Sequence, residues 1–345
     1  MSTLKVGAIR GVSASSDAIT VASDGTASAK LTSINDGALS NRNLLINSAF
    51  EIWQRGTTAA SGASGGNRYL ADRWSVPNRT RMAQSTDVPA GFKYAILLDR
   101  EQTGGSEPFT IHQGIEKDNI RKTGSYTLSF YAKSSDISSV NINVQDRTTV
   151  AEGGTNHASI VTNQAVSITS SWARYTYTFT LSNASLTGTC LRISIGNTSA
   201  SQHDELLLTG IQLETGSVAT DIEKRSFGQE LALCQRYFLR FKNDASDHGV
   251  FCTAVSYGTT DQRSGIFNFP TSMRASPSFS ISDVSHFQIL GLGSSISNIN
   301  IADVGTSVSG CGVRVHTGDT LTSGQGIICR ANNTGSAYFD FDAEL

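Results

Sequence analysis

Between Tyr94 and Ile195 apolar residues return at every second position, and this alternation limits what the chain can fold into more than any other feature. Tyr94, Ile96 and Leu98 alternate in one run, Tyr126, Leu128 and Phe130 in the next, then Val140, Ile142 and Val144. Tyr175, Tyr177 and Phe179 are interleaved with Thr176, Thr178 and Thr180; Leu191, Ile193 and Ile195 follow, then the apolar run ELLLTGIQLE. A strand turns successive side chains to opposite faces. One apolar and one Ser/Thr/Asn face is therefore the pattern of an antiparallel sheet packed on one side and wet on the other. At least seven such runs, separated by turn residues, predict a two-sheet jelly-roll β-sandwich over residues 41–226. Its first and last segments, NLLINSAFEIW and LLLTGIQLE, are expected to lie close together.

Residues 244–345 return to short, more Gly- and Ser-rich strands, from GVFCTAVS to AYFDFDAEL, and predict a second antiparallel β module. The fold class is thus all-β, with one short helix over 227–243 joining the two modules. Ser226 is its expected N-cap, Gln229 completes a capping box, and Glu230 suits the first turn. Within Phe227–Phe241, the apolar positions Phe227, Leu231, Cys234, Phe238 and Phe241 step by 4, 3, 4 and 3, a heptad seam. Spacing alone leaves two readings of that seam: packing within the chain, or self-association. Residues 1–40 are small and polar. Within them 17–32 reads as a hairpin turning at Asp24-Gly25, too poor in apolar surface to stand alone, so this arm is expected to pack on a docking partner.

The composition suits many short strands with polar faces. Only 16% of the 345 residues are charged, 38% are hydrophobic, and Gly numbers 32. A net charge of −2, with no basic run, argues against a nucleic-acid partner. No window approaches a membrane span, so no membrane insertion is expected, and the opening residues lack the pattern of a signal peptide. Five scattered cysteines (Cys190, Cys234, Cys252, Cys311, Cys329) show no zinc spacing and read as free thiols of a reducing cytoplasm.

No catalytic motif is present: there is no phosphate loop, HExxH or GxSxG, and the six His show no i, i+4 pair. Asp99 with Glu101 and Asp204 with Glu205 are neighbouring carboxylates that read as surface charges. No enzyme activity, cofactor or metal is therefore expected, although Glu51 and Glu214 near the two ends of the sandwich are candidates for a structural calcium. The aromatic cluster Trp53, Tyr69 and Trp74, interleaved with Arg55, Arg68, Asp72 and Arg73, mixes faces for stacking on sugar rings with polar groups for hydroxyls. Arg68, Tyr69, Asp72, Trp53 and Trp74 are the candidate glycan site; the competing reading is that both Trp fill the sandwich core.

The string QLETGSVATDIEKRSFGQELALCQRYF, residues 212–238, resembles a junction common in tail-fibre and related virion appendage proteins of bacteriophages. NLLINSAFEIWQRGTT followed by YLADRWSV is similar to the start of their sandwich domain, and FNFPTSMRASPSFS, residues 267–280, resembles a turn of their C-terminal module. The sandwich is similar to carbohydrate-binding modules, and the arm LKVGAIRG with AITVASDGTASAKLT is similar to virion-docking arms. The resemblance implies a homotrimeric virion fibre subunit, assembled in the host cytoplasm. Its residues 1–40 would engage other tail or capsid proteins, and its distal modules would bind host surface polysaccharide. It also turns the seam Phe227, Leu231, Cys234, Phe238 and Phe241 toward a trimer axis. A connector, collar or head decoration protein without ligand is the alternative, and a polysaccharide-degrading tailspike the third reading.

Overall fold

The structure is a computed structural model that describes residues 7–10, 19–24, 27–29, 40–59, 67–77, 79–101, 109–120, 123–150, 154–182, 186–197, 200–258, 260–290, 296–301, 305–318 and 320–345. In the arm, β1 (Ala8–Ile9), β2 (Ile19–Val21) and β3 (Ala27–Ala29) form a small antiparallel sheet, with β2 and β3 as the expected hairpin. Gly25 of its turn lies outside the described residues.

The sandwich contains β4 (Thr58–Ala59), β5 (Asn67–Tyr69), β6 (Ser75–Pro77), β7 (Arg81–Ser85), β8 (Ala95–Asp99) and β9 (Phe109–Glu116). It continues with β10 (Gly124–Lys133), β11 (Ser139–Arg147), β12 (Asn156–Ser167), β13 (Ala173–Leu181), β14 (Cys190–Asn197) and β15 (Glu205–Thr215). Two six-stranded sheets result, in the orders β13-β10-β15-β8-β7-β4 and β12-β11-β14-β9-β6-β5. The alternating residues do what their period dictates. Tyr126, Leu128 and Phe130 of β10 and Ile96 and Leu98 of β8 face inward from one sheet, and Val140, Ile142, Val144, Leu191, Ile193 and Ile195 from the other. The two ends of the domain meet as expected: the Leu44 amide donates to the Leu213 carbonyl at 2.9 Å, and the Asn43 side chain ties down Leu45, Ile211 and Leu213.

The helix is shorter than its sequence implies. α1 spans Phe227–Gln235, with the Ser226–Gln229 capping box formed. Phe238, expected on the same helical face, instead opens the strand β16 (Phe238–Lys242). The second module follows with β17 (Val250–Ser256), β18 (Asp261–Asn268), β19 (Ser278–Ile281) and β20 (Phe287–Ile289), then β21 (Ile296–Asn300), β22 (Gly310–Thr317), β23 (Gly326–Ala331) and β24 (Tyr338–Asp342). A six-stranded sheet, β20-β23-β17-β18-β22-β21, packs against a three-stranded one, β16-β24-β19. β16 pairs with β24 over five residues, from Phe238 opposite Asp342 to Lys242 opposite Tyr338. Pairing with a strand a hundred residues away gives the aromatic-rich segment FLRFK a ladder and a packed face, and this overrides the local helical spacing.

The heptad seam is corrected accordingly. Cys234 and Phe238 are buried within their own chain, while Phe241 lies on a strand with its ring against Phe251 and Phe267, at 5.4 and 5.3 Å between centroids. Of the five seam residues, Phe227 alone is mostly exposed, at 59%, with Leu231 partly so one turn later. The second module therefore begins at Phe238, and the linking helix ends at Gln235 rather than 243.

Replacing Leu128, fully buried between the sheets, with Ala is expected to cost about 2–5 kcal/mol in urea unfolding. Thr176→Ala on the wet face of β13 should change stability by no more than about 0.5 kcal/mol. Equal effects would contradict the assignment of inner and outer faces.

Candidate functional site

The cluster picked out from sequence as a glycan surface is the joint between the two modules. Trp74 is fully buried, 5.5 Å from Phe50 between ring centroids, and its indole donates to the Asn47 carbonyl at 3.0 Å. Trp53 packs partly buried on the core and donates to the Phe50 carbonyl. Arg68 donates to the Thr80 carbonyl at 2.6 Å, and the Tyr69 hydroxyl reaches the Leu345 carbonyl at 3.5 Å. Asp72 is fully buried. Its carboxylate accepts from the Gln54 amide and side chain and lies 3.7 Å from Arg55. The sequence sees aromatics and charges close together, but these side chains turn inward or toward the C-terminal strand.

The charges between the aromatics are consumed by that strand. Arg73, only 1% exposed, pairs with Glu344, donates to the Gly114 carbonyl at 2.7 Å, and lies 3.4 Å over the Tyr237 ring. Arg55 lies 3.4 Å over Phe238 and meets Asp342 at 3.1 Å and Glu344 at 3.4 Å. Glu116 takes two hydrogen bonds from Arg236, at 3.2 and 3.0 Å, and one from the Tyr237 hydroxyl at 2.6 Å. Burial alone would raise the Glu116 pKa, but these hydrogen bonds bring it below the usual carboxylate range. Arg274, from the FPTSMR turn, donates to the Ala343 and Glu344 carbonyls at 2.8 and 3.0 Å. Three of the strings that carry the phage resemblance thus meet at one place. The turn that aims Arg73 holds it at φ 70°, a conformation non-glycine residues adopt rarely.

The other candidates are also taken up by local structure. Glu214 accepts hydrogen bonds from Thr220, at 2.9 Å to its amide and 2.7 Å to its hydroxyl, and from Gln212 at 2.8 Å. Among the described residues no group of three His, Cys, Asp or Glu is placed to hold a metal. Asp99 and Glu101 both pair with Arg81, at 3.1 and 3.2 Å.

A polar face remains on the outside of the β12-β11-β14-β9-β6-β5 sheet. Cross-strand register sets Asn143, Ser194, His112, Ser75 and Tyr69 in one row across five strands. Its neighbouring rows carry Gln145 with Arg192 and Asn141 with Gly196 and Thr110. His112, 1% exposed, is fixed from both ring nitrogens: Ser194 Oγ lies 2.8 Å from Nδ1 and Thr110 Oγ1 3.0 Å from Nε2. Arg192 donates to Gln145 Oε1 and, at 3.1 Å, to the Val150 carbonyl. The row has two ends. At Tyr69, and at Gly114 in the neighbouring row, the face runs under the end of the second module, where a Cβ on Gly114 would meet Leu345 at 3.2 Å and the sandwich's own Val150 at 2.4 Å. At β11 and the exposed edge strand β12 it opens, leaving Asn141, Asn143 and Gln145 half-buried along one side. Amides spaced every second residue over a rigid hydroxyl–imidazole layer are suited to pairing with the hydroxyls of a sugar. These residues were visible in NINVQ as the polar half of the alternation, but nothing in sequence marked this polar face apart from the others.

Residues 74–200 match the family model described as Carbohydrate binding domain, a span that includes β6 to β14 and so five of the six strands of this face. No curated protein matches the chain. Among solved structures, the xylan-binding domain CBM22-1 from Paenibacillus barcinonensis Xyn10C is 15% identical, covering 55% of this chain and 100% of that one at a TM-score of 0.34. A CBM4 structure is 16% identical, covering 49% of this chain and 97% of that one, at 0.31. The enzymatically active domain of Bacteriophage CBA120 tailspike protein 4 is 13% identical over 50% of this chain and 21% of that one, at 0.33. The sandwich region is therefore similar to a carbohydrate binding domain by family match, in a chain that is nearly all β.

Burial pushes the Asp72 carboxyl up to about 6, against Arg55 and the Gln54 hydrogen bonds that lower it. The folded state holds this proton more tightly than the unfolded chain. Its ionisation cost is thus fully present above pH 6 and disappears as pH falls below about 3.9. The wild-type protein should gain stability, on the order of 3 kcal/mol from this group, between pH 7 and 4. Asp72→Asn should flatten that part of the profile in urea unfolding; an unchanged profile would refute the assignment.

Proposed function

We propose that the chain binds carbohydrate without cleaving it, through the outer sheet face around Asn141, Asn143 and Gln145. The observation that carries this reading is the coincidence of the family match with the strands that build that face. Loss of Trp53, Tyr69 and Trp74 to the core and the joint moves the ligand surface from an aromatic platform to an amide row. Such a surface takes hydroxyls by hydrogen bonding and binds each sugar weakly. Useful affinity then comes from several copies acting together.

The setting we propose is a bacteriophage virion appendage: a homotrimer docked by residues 1–40 to other tail or capsid proteins and presenting both modules to host surface polysaccharide. It is supported by the junction string at 212–238 and by an arm whose sheet leaves Ile9 and Val21 exposed. The exposed Phe227, with Leu231 one turn on, offers a narrower contact for a second copy than the full seam did.

On a glycan array of bacterial surface polysaccharides and plant xylans, the purified protein is expected to bind at least one class. Asn143→Ala should weaken that binding at least tenfold while costing no more than about 1 kcal/mol in unfolding, through loss of the hydrogen bond its Oδ1 accepts from the Asn163 amide at 2.8 Å. Release of reducing ends from the bound glycan would contradict the non-catalytic reading, and no binding to any glycan would leave a connector without ligand. Light scattering is expected to give three times the 36.7 kDa chain mass; a monomer would sink the trimer.

A further inference from the structure

The second module carries a positive face that its own fold does not explain. On the outside of its six-stranded sheet, register places Val255, Arg263, Arg314 and Asn300 in one row, with Asp261, His316 and Asn298 in the row beside it. The opposite faces of these strands hold the core residues Val313, Val315 and Ile299, so the row points away from the module. Two arginines directly opposite each other across a strand pair repel. Asp261 pairs directly with only one of them: its carboxylate takes Arg314 at 2.5 Å, lies 2.7 Å from His316, and meets Arg263 only through a longer-range attraction. Those contacts hold the Asp261 carboxyl below its ordinary range.

No carboxylate lies within ion-pair distance of Arg263 among the described residues, although the charge of Asp261 acts on it from further away. Its guanidinium lies 4.6 Å over the ring of Tyr257, a side chain 72% exposed. Stacking on an aromatic ring holds the planar fork in one orientation and leaves its edge free to donate two parallel hydrogen bonds. Asn300 Oδ1 is buried without a hydrogen-bond partner at the far end of the row. A shallow depression lined by Thr253, Val255, Gly326 and Ile328 adjoins the opposite end of the row, at Val255, giving an apolar strip beside Arg263. The chain as a whole is net −2, so this local excess of cationic side chains runs against the average.

We infer that Arg263, Arg314, Tyr257 and Asn300 form a second binding site, for an acidic saccharide whose carboxylate seats on Arg263. A carboxylate matches the arginine fork in a bidentate pair, and the exposed tyrosine edge and the valine strip take the apolar face of the pyranose that carries it. Asn298 with the Asn300 amide group, two strands beyond Arg263, takes hydroxyls of a neighbouring sugar. The anion preference stands on the charges alone, whereas the choice of a saccharide rests on the carbohydrate-binding reading above. Because this site sits on the other module, it acts independently of Asn143.

The test is calorimetric titration of the full chain with tetragalacturonate and with the same oligosaccharide reduced to its neutral form. Binding of the acidic form, at least tenfold tighter than the neutral one and weakened by salt, is expected. Arg263→Gln and, separately, Tyr257→Ala should each reduce it at least tenfold, Arg263→Lys should reduce it less than Arg263→Gln, and Asn143→Ala should leave it unchanged. Tyr257 is exposed, so its variant reports even where an Arg263 variant fails to fold. Equal binding of the neutral form, loss through Asn143→Ala, or no binding of tetragalacturonate at millimolar concentration would overturn the proposal. Tighter binding of inorganic phosphate or duplex DNA, lost in the same variants, would overturn the saccharide assignment. Neutral-glycan binding absent on the array with tetragalacturonate still bound would remove the sandwich site and leave this one standing.

Discussion

A guanidinium at 1% exposure has to be answered where it lies, and Arg73 sets that requirement for the whole molecule. Removing one partner of a buried ion pair costs about 3–5 kcal/mol, because the other charge stays out of water. Glu344 supplies the counter-charge, the Gly114 carbonyl takes a hydrogen bond, and the Tyr237 ring covers the cationic face. These three partners come from the second module's last strand region, from β9, and from the second residue after α1. Placing these partners around Arg73, whose Nε still has no hydrogen-bond partner, brings together residues as far apart as 73 and 344. Arg55 repeats the arrangement alongside, with Phe238 as its ring and Asp342 and Glu344 as its anions.

The joint decides which surfaces are left for ligands. It covers the Tyr69 and Gly114 end of the polar sheet face, so the accessible part of that face lies toward β11 and β12. It also orients the second module so that the β16-β24-β19 sheet contributes to the contact, through Phe238, Arg240 and Asp342. The six-stranded sheet then turns its outer face, with Arg263 and Tyr257, away from the sandwich core. One buried ionic contact thus serves as the hinge pin for two separate polar faces, each built on a rigid sheet.

The β architecture was legible because a period of two survives in any context. Tyr126, Leu128 and Phe130 point inward whichever strand pairs with them, and each of the short runs after 245 is a strand where expected. The helix was half legible. Ser226 and Gln229 cap it as local chemistry requires, but its end was misread, because Phe238 and Phe241 fit a heptad and a strand equally well until β24 is known. The Trp53–Trp74 cluster left two readings open for a related reason, and the structure takes the core one for both Trp. An aromatic among arginines looks the same in sequence whether the charges meet a sugar or a distant carboxylate, and Glu344 lies far along the chain from Arg73.

The amino-acid order by itself determined the all-β class, the two modules, the inner and outer faces of their strands, and the start of the helix. These follow from spacing between near neighbours and from capping chemistry within one turn. Tertiary structure alone decided where the helix stops, which charges are spent on the joint, and which polar rows remain open. Each of those depends on pairing between residues a hundred or more positions apart, Phe238 with Asp342 or Arg73 with Glu344, and register across strands has no signature within a single one.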